Sequence, residues 1–196
     1  MVSSSSVFIH SGLLYAEKNF WSAEECLQLR EISKFSPSED AGIYAEGKQT
    51  VDSPFRKTKR ILISYSIQEE LHKSIFAAKP SLENHYGLAL SGLQTCQLLK
   101  YDTGGYFRAH QDEKELPSEF TRKLSVVIFL NSARKTKSSF TGGQIVFYED
   151  MPQYLAGNGF PFEPEQGLLL VFPSYLLHEV CEVTTGIRYS VVSWFY

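Results

Sequence analysis

The stretch Lys100-Tyr101-Asp102-Thr103-Gly104-Gly105-Tyr106-Phe107-Arg108-Ala109-His110-Gln111-Asp112 joins one strand-like run to the next through a glycine pair. Its end, His110-x-Asp112, sets an imidazole and a carboxylate two residues apart, and in an extended chain that spacing directs both side chains to one face. Two metal-ligating groups are thereby aimed at one point. The runs around this stretch set the expected fold class. From Leu93 onward, short β-rich runs are separated by Gly, Pro and Asn: Leu93 to Tyr101, Tyr106 to His110, Lys123 to Leu130, Gln144 to Tyr148, Gly167 to Phe172, Leu177 to Val183 and Arg188 to Tyr196. Short strands at this spacing predict a barrel or a double-sheet jelly roll rather than parallel strands with crossover helices.

Upstream of Gly92 the chain reads as support. Ser22 and Glu25 form an S-x-x-E capping box with Trp21 and Cys26 as the staple pair, and Cys26, Leu29 and Ile32 follow at helical spacing. Phe35 to Lys59, rich in Ser, Pro, Gly and charge, reads as loops with at most a short edge strand, followed by a strand over Ile61 to Tyr65. The basic run Arg56, Lys57, Lys59 and Arg60 is expected to be a solvated face rather than a substrate-contacting loop. A second capping box, Ser66 with Glu69, is expected to open a helix in which Ile67, Leu71, Ile75 and Ala78 recur until Pro80 interrupts it. Two helices would then cover one sheet. His72 and His85 fall in this region and read as surface or satisfied core histidines, not ligands.

With 196 residues, 43% of them hydrophobic, the chain suffices for one substantial core. The expected organisation is a single domain over 1–196, with helical and loop support over 1–92 and a jelly-roll core over 93–196. The balance of 19 basic against 22 acidic residues, net charge -3, argues against nucleic acid as the main partner. Cys26, Cys96 and Cys181 are widely spaced without a C-x-x-C, which indicates neither a disulfide framework nor a cysteine zinc site and suits a reducing compartment. The sequence shows no basic n-region followed by an apolar stretch and no apolar run of about 18 residues or more. The expectation is a soluble cytoplasmic protein with no membrane partner, with Ser3 to Ser6 as a frayed end.

The ligand pair gains a third member at His178, which starts a strand-like run after Pro173-Ser174-Tyr175-Leu176-Leu177. In a jelly roll the two ligand-bearing elements can be neighbours, so His110, Asp112 and His178 can converge. Two His and one carboxylate with open positions opposite suit non-haem Fe(II) and oxygen chemistry. Two His and a carboxylate also suit catalytic zinc, but the start of an H-E-x-x-H at His178-Glu179 fails because Glu182 stands where the second His is needed. A Cys-His nucleophile on Cys181 or Cys96 has only the nearby His178 in its favour. Further on, Arg188 and Ser190 are two apart on a strand and can jointly bind a carboxylate. The run around Arg188 is apolar, and an arginine there is costly unless an anion meets it.

The order of these features resembles the 2-oxoglutarate and Fe(II)-dependent dioxygenases, specifically the prolyl 4-hydroxylase-like superfamily. The match runs from about Leu98 to Tyr196: Tyr101 and Gly104, His110-x-Asp112, Ser125 to Asn131 ending in Phe-Leu-Asn, Gly142-Gly143, Gly167, Phe172-Pro173, His178-Glu179-Val180, Gly186-x-Arg188 and Trp194. The resemblance implies a double-stranded β-helix (jelly-roll, cupin-like) core, mainly β with flanking N-terminal helices. It implies Fe(II) held by His110, Asp112 and His178, and the distal carboxylate of 2-oxoglutarate bound by Arg188 with Ser190 assisting. Tyr101 is placed like the tyrosine that hydrogen-bonds this cosubstrate. Phe129 stands where hypoxia-type prolyl hydroxylases carry a second such tyrosine, so that contact should be missing or replaced. Collagen-type enzymes use lysine where this chain has Arg188, which places it nearer the hypoxia-type and small bacterial branches.

The implied reaction consumes 2-oxoglutarate and O2, yields succinate and CO2, and hydroxylates a C–H bond; the resemblance also admits ascorbate as an accessory reductant. Related halogenases have a small residue where this chain has Asp112, which favours hydroxylation over halogenation. The expected substrate is a prolyl residue of a protein or peptide, with a free small molecule such as an amino acid as the alternative and a non-catalytic jelly roll as a further reading. Loops Glu113 to Thr121, Ser132 to Thr141 and Asp150 to Gln166 are expected to choose the substrate. In the third, Tyr154, Phe160 and Phe162 would either pack on a prolyl ring or cover the barrel mouth.

Overall fold

Period-two alternation in the apolar runs gives several strands two buried faces, and that determines how the layers stack. The computed structural model describes residues 12–45, 48–50, 54–113, 120–133, 140–148 and 159–196. In chain order the elements are β1 (Tyr15–Glu17), α1 (Ala23–Phe35), β2 (Ser38–Asp40), β3 (Ile43–Ala45), β4 (Lys48–Thr50), β5 (Arg56–Lys57), β6 (Lys59–Ile61), α2 (Tyr65–Phe76), α3 (Lys79–Tyr86), β7 (Gln97–Tyr101), β8 (Tyr106–His110), β9 (Leu124–Phe129), β10 (Thr141–Gly142), β11 (Ile145–Phe147), β12 (Phe160–Phe162), β13 (Leu169–Pro173), β14 (His178–Val180), β15 (Val183–Thr185) and β16 (Arg188–Phe195). A seven-stranded sheet runs β1-β13-β9-β16-β7-β6-β2, and a five-stranded sheet runs β12-β11-β14-β8-β5. Neighbouring strands in both sheets are antiparallel.

On β9, Leu124, Val126 and Ile128 face one core cluster while Val127 and Phe129 face another. β13 divides the same way, with Leu169 and Val171 on the first side and Leu170 and Phe172 on the second. The first cluster also contains Trp21, Cys26, Leu29, Leu71, Ile75 and Leu82, so the helices cover the outer face of the larger sheet. The second adds Ile145, Phe147, Phe162 and Val180, so the two sheets pack face to face. This is the jelly-roll-like arrangement, mainly β with flanking helices, that the sequence predicts. The alternation on β16 continues the pattern: Tyr189, Val191 and Phe195 turn to the helices, while Arg188, Ser190, Val192 and Trp194 line a cavity between the sheets.

The supporting half differs in detail from expectation. The Ser22 capping box is present as predicted, with Glu25 bonding back to the Ser22 backbone. The second helix is capped by Ser64, not Ser66: Ser64 is extended and its Oγ accepts the Ile67 N–H, while Ser66 Oγ lies 2.9 Å from Ser64 Oγ. The strand expected over Ile61 to Tyr65 is Lys59–Ile61, and Tyr65 opens α2. Pro80 does not interrupt that helix, which has already ended at Phe76; it sits in the first turn of a third helix, where its missing N–H is no loss. Strands also come from this half: β1, β2 and β6 extend the larger sheet and β5 edges the smaller one. Among the described residues, no helix is long and apolar enough to cross a membrane. Ser3 to Ser6 lie outside the described residues.

Candidate active site

His110 ends β8 and His178 begins β14, and the two strands pair in register with His178 opposite His110. The imidazole centroids are 4.3 Å apart. Asp112 lies two residues past His110, where its backbone N–H donates to the Ser174 carbonyl at 2.9 Å. The Asp112 carboxylate is 3.6 Å from Nε2 of both histidines, and the ligand atoms of all three residues lie within 4.8 Å of one another. His110 Nδ1 is 2.7 Å from the Arg108 carbonyl, and His178 Nδ1 is 2.8 Å from the Leu176 carbonyl. A carbonyl only accepts, so each Nδ1 carries a hydrogen, and each ring turns its Nε2 to the common point.

The electrostatics fit a cation. Burial by itself raises the Asp112 carboxyl, but the His110 and His178 imidazoles beside it outweigh that and hold it well below the usual carboxylate range. Burial pushes the His178 imidazolium down to about 4 against the pull of Asp112, so the ring is neutral at neutral pH. Ser125 Oγ donates to Asp112 Oδ2 at 2.8 Å and lies 3.0 Å from Ser174 Oγ, which fixes the carboxylate rotamer. Trp194 Nε1, buried and without a hydrogen-bond partner by geometry among the described residues, adds the smallest downward pull on the Asp112 carboxyl. Two imidazoles, an ionised carboxylate and outer hydrogen bonds that orient them make a donor set for a divalent cation such as Fe(II).

Arg188 faces the same cavity from the larger sheet. It is 1% exposed, and its Nε donates to the Gly143 carbonyl and its Nη1 to Ser190 Oγ, each at 3.0 Å. Burial pulls this guanidinium below its ordinary range. Its protein hydrogen bonds go to neutral oxygens, and no carboxylate pairs with it among the described residues. β16 pairs with β7 so that Arg188 stands opposite Tyr101, whose ring centroid is 4.9 Å from the guanidinium carbon; the Phe129 centroid is at 5.3 Å. The Gly142-Gly143 pair has a steric reason: Gly143 has φ +65°, and a Cβ there would come within 3.0 Å of Arg188 Cδ. Asn131, the end of Phe-Leu-Asn, donates to the Ile187 carbonyl at 2.7 Å and accepts from the Tyr189 N–H at 2.9 Å, clamping both neighbours of Arg188.

The cavity joining the triad to Arg188 has a volume of about 400 Å³, within the usual range for small-ligand sites. Residues 96–196, just over half the chain, match the 2OG-Fe(II) oxygenase superfamily. The chain belongs to that superfamily. It is therefore a 2-oxoglutarate- and Fe(II)-dependent dioxygenase that uses O2. A PKHD-type hydroxylase of Rippkaea orientalis is 26% identical over 176 residues, covering 87% of this chain and 75% of the relative. A prolyl-4-hydroxylase of Pseudomonas putida superposes with a TM-score of 0.66 at 20% identity, covering 98% of this chain and 97% of that one. A Trichoplax adhaerens prolyl hydroxylase, solved with a hypoxia inducible factor peptide, gives a TM-score of 0.72 at 19% identity, over 97% of this chain and 86% of that one.

The structure of this dioxygenase brings all six residues singled out in the sequence to one cavity: His110, Asp112, His178, Arg188, Ser190 and Tyr101. His72 stacks on Phe76 and His85 Nε2 meets the Gly12 carbonyl, both away from the site. β14 is a strand, so no zincin helix exists at His178-Glu179, and burial with Glu179 raises the Cys181 thiol, the opposite of an activated nucleophile. The basic run is corrected in part: Lys57 is exposed and Lys59 does not line the cavity, as a solvated face requires, but the two arginines differ. Arg56 and Arg60 line the cavity, because β5 forms one edge of the smaller sheet and β6 lies one strand in from the edge of the larger. Ser125, the polar residue in an otherwise apolar β9, was the available signal for the Asp112 partner. Of the expected substrate loops, 114–119, 134–139 and 149–158 lie outside the described residues, Tyr154 among them. Phe162 packs inside the core, 6.3 Å from Phe129 by ring centroid.

Proposed function

We propose that this chain hydroxylates a prolyl residue of a protein or peptide, with 1–196 acting as one dioxygenase domain in the cytoplasm. His110, Asp112 and His178 hold Fe(II) through two Nε2 atoms and one carboxylate oxygen. Bound there with 2-oxoglutarate and O2, the iron supplies an oxidation of a C–H bond coupled to decarboxylation of the cosubstrate to succinate and CO2. Arg188 anchors the distal carboxylate of 2-oxoglutarate as a charge-assisted pair, and Ser190 Oγ, already bonded to Nη1, orients the fork. Tyr101 closes that end of the cavity beside Arg188, and Phe129 makes an apolar wall there. Ser125 and Ser174 hold Asp112 in its ligating rotamer.

The observation that carries this reading is a cavity with a His-Asp-His donor set on one side and, on the other, a buried arginine that no carboxylate pairs among the described residues. The prolyl assignment draws support from the names of the Pseudomonas putida and Trichoplax adhaerens proteins that share the fold. The cytoplasmic assignment draws support from Cys26, Cys96 and Cys181, all free thiols. The test is mass spectrometry of proline-containing peptides from a cell lysate, incubated with enzyme, Fe(II) and 2-oxoglutarate in air. A +16 Da product on proline that needs 2-oxoglutarate is expected. Products confined to non-prolyl sites or to free metabolites would overturn the prolyl assignment.

A further inference from the structure

The cavity carries more positive charge than the roles above consume. Besides Arg188, three guanidiniums line it, from Arg56, Arg60 and Arg122, and Asp112 is the one carboxylate in the lining among the described residues. The charge of Fe(II) cancels that of the two 2-oxoglutarate carboxylates, and Arg188 offsets Asp112. The other three arginines are therefore unbalanced from within. A cleft walled by charge of one sign concentrates ligands of the other.

The three are not equally free. Arg122 is occupied: its Nε donates to Gln94 Oε1 at 2.9 Å, its Nη1 lies 3.4 Å from the Asp112 carbonyl, and its guanidinium carbon is 3.6 Å from the Trp194 ring centroid. Arg60 is met from the sheet edge by Glu39, its pairing partner across β2 and β6. Arg56 differs. Its Nη1 donates to the Gly42 carbonyl at 2.9 Å, but its Nε is buried without an acceptor, and no carboxylate pairs with it among the described residues. An orphaned buried donor is costly, and a ligand oxygen in the cavity would satisfy it. Its place relative to the iron site is fixed by the sheet. Arg56 stands opposite Phe107 across β5 and β8, its guanidinium carbon is 4.4 Å from the Phe107 centroid, and Phe107 stacks on His110 at 3.5 Å. A single aromatic ring separates Arg56 from the triad.

The geometry points to Arg56, flanked by Arg60, as a second anion-binding position that receives a carboxylate carried by the substrate close to the carbon that is oxidised. The substrate class is thus carboxylate-bearing: an acidic residue beside the target residue of a peptide, or the free carboxylate of an amino acid. This inference rests on the active site proposed above and narrows its substrate.

The test uses the full chain with Fe(II), 2-oxoglutarate and O2 on matched carboxylate and carboxamide probes. One arm is blocked prolyl tripeptides with Asp or Asn, and Glu or Gln, beside proline; the other is free L-amino acids, proline included, against their amides. The +16 Da product and succinate are read for each. The carboxylate member is expected to be favoured roughly tenfold or more in kcat/KM, about 1.4 kcal/mol at tenfold. Arg56→Gln is expected to collapse that ratio to within about twofold while KM for 2-oxoglutarate shifts by less than about twofold, because Arg188 holds the cosubstrate. Arg56→Lys, which keeps the charge but not the fork, is expected to retain part of the preference and serves if the glutamine variant does not fold. Equal turnover of both members by the wild type, equal loss on both in Arg56→Gln, a full preference in Arg56→Lys where the glutamine variant does not fold, or no carboxylate probe oxidised at all would each overturn the proposal. The arms separate it from the prolyl assignment. A preference seen only with non-prolyl acids keeps the anion position and sinks the prolyl reading, and prolyl peptides oxidised regardless of flanking charge do the reverse.

Discussion

Arg188 is a buried cation whose hydrogen bonds among the described residues go to neutral oxygens, so its deletion should be felt by an anion rather than by the metal. Arg188→Ala is expected to raise KM for 2-oxoglutarate by roughly 30-fold or more, the cost of removing one partner of a buried charge pair. Mn(II) affinity, measured by calorimetry, should change little. Ser125→Ala removes the hydrogen bond to Asp112 Oδ2, and loss of such an outer partner should weaken metal binding about 10- to 100-fold without altering the fold, as read by the same titration and by circular dichroism. His178 makes the metal-free protein acid-sensitive. Its folded pKa, about 4, lies below the ordinary value of 6.5, so between these the unfolded chain binds the extra proton. Stability from this group is complete above pH 6.5 and is lost as pH falls toward 4. Thermal midpoints over that window should fall more steeply for the wild type than for His178→Gln. The triad and Arg188 are legible in the sequence because each signal is local: a two-residue spacing on a strand, or a charge inside an apolar run. Arg56 and Arg60 are not, because a basic run reads the same whether it faces solvent or a cavity. Only the pairing of β5 with β8, and of β6 with β7, decides that.

At the scale of elements, the apolar runs from Gln97 onward predict strands well because burial on both faces leaves little alternative to an extended chain. Leu169 on β13 is fully buried on the helix side, and Leu169→Ala is expected to cost about 2–5 kcal/mol in a denaturant melt. The segment before β7 is less legible. Its strands are two or three residues long and polar, and they exist only because the edges of both sheets accept them. The choice between Ser64 and Ser66 as cap likewise turned on where β6 ends, a non-local matter. The turn at Gly142-Gly143 links element to site. Gly143→Ala combines a positive φ with a contact on Arg188 Cδ and should raise KM for 2-oxoglutarate several-fold, with only a modest shift in melting temperature, in paired kinetic and thermal measurements.

For the whole molecule, the two sheets divide the work. The smaller sheet carries the His110 and His178 ends of β8 and β14, the larger sheet carries Arg188 at the start of β16, and the helices back the larger sheet. In the proposed reading the metal and cosubstrate anchors oppose each other across one cavity, which Arg56 also lines. This division follows from strand order, which the sequence does not spell out; the ordered motifs pointed to it only through resemblance to a family. The measurement that tests the account most directly is succinate release from 2-oxoglutarate by the purified chain with Fe(II) in air, beside Asp112→Ala and an anaerobic control. The account predicts succinate that requires both Fe(II) and O2 and is abolished in Asp112→Ala. Succinate formed equally by Asp112→Ala, or none formed by the wild type with any candidate substrate, would contradict it.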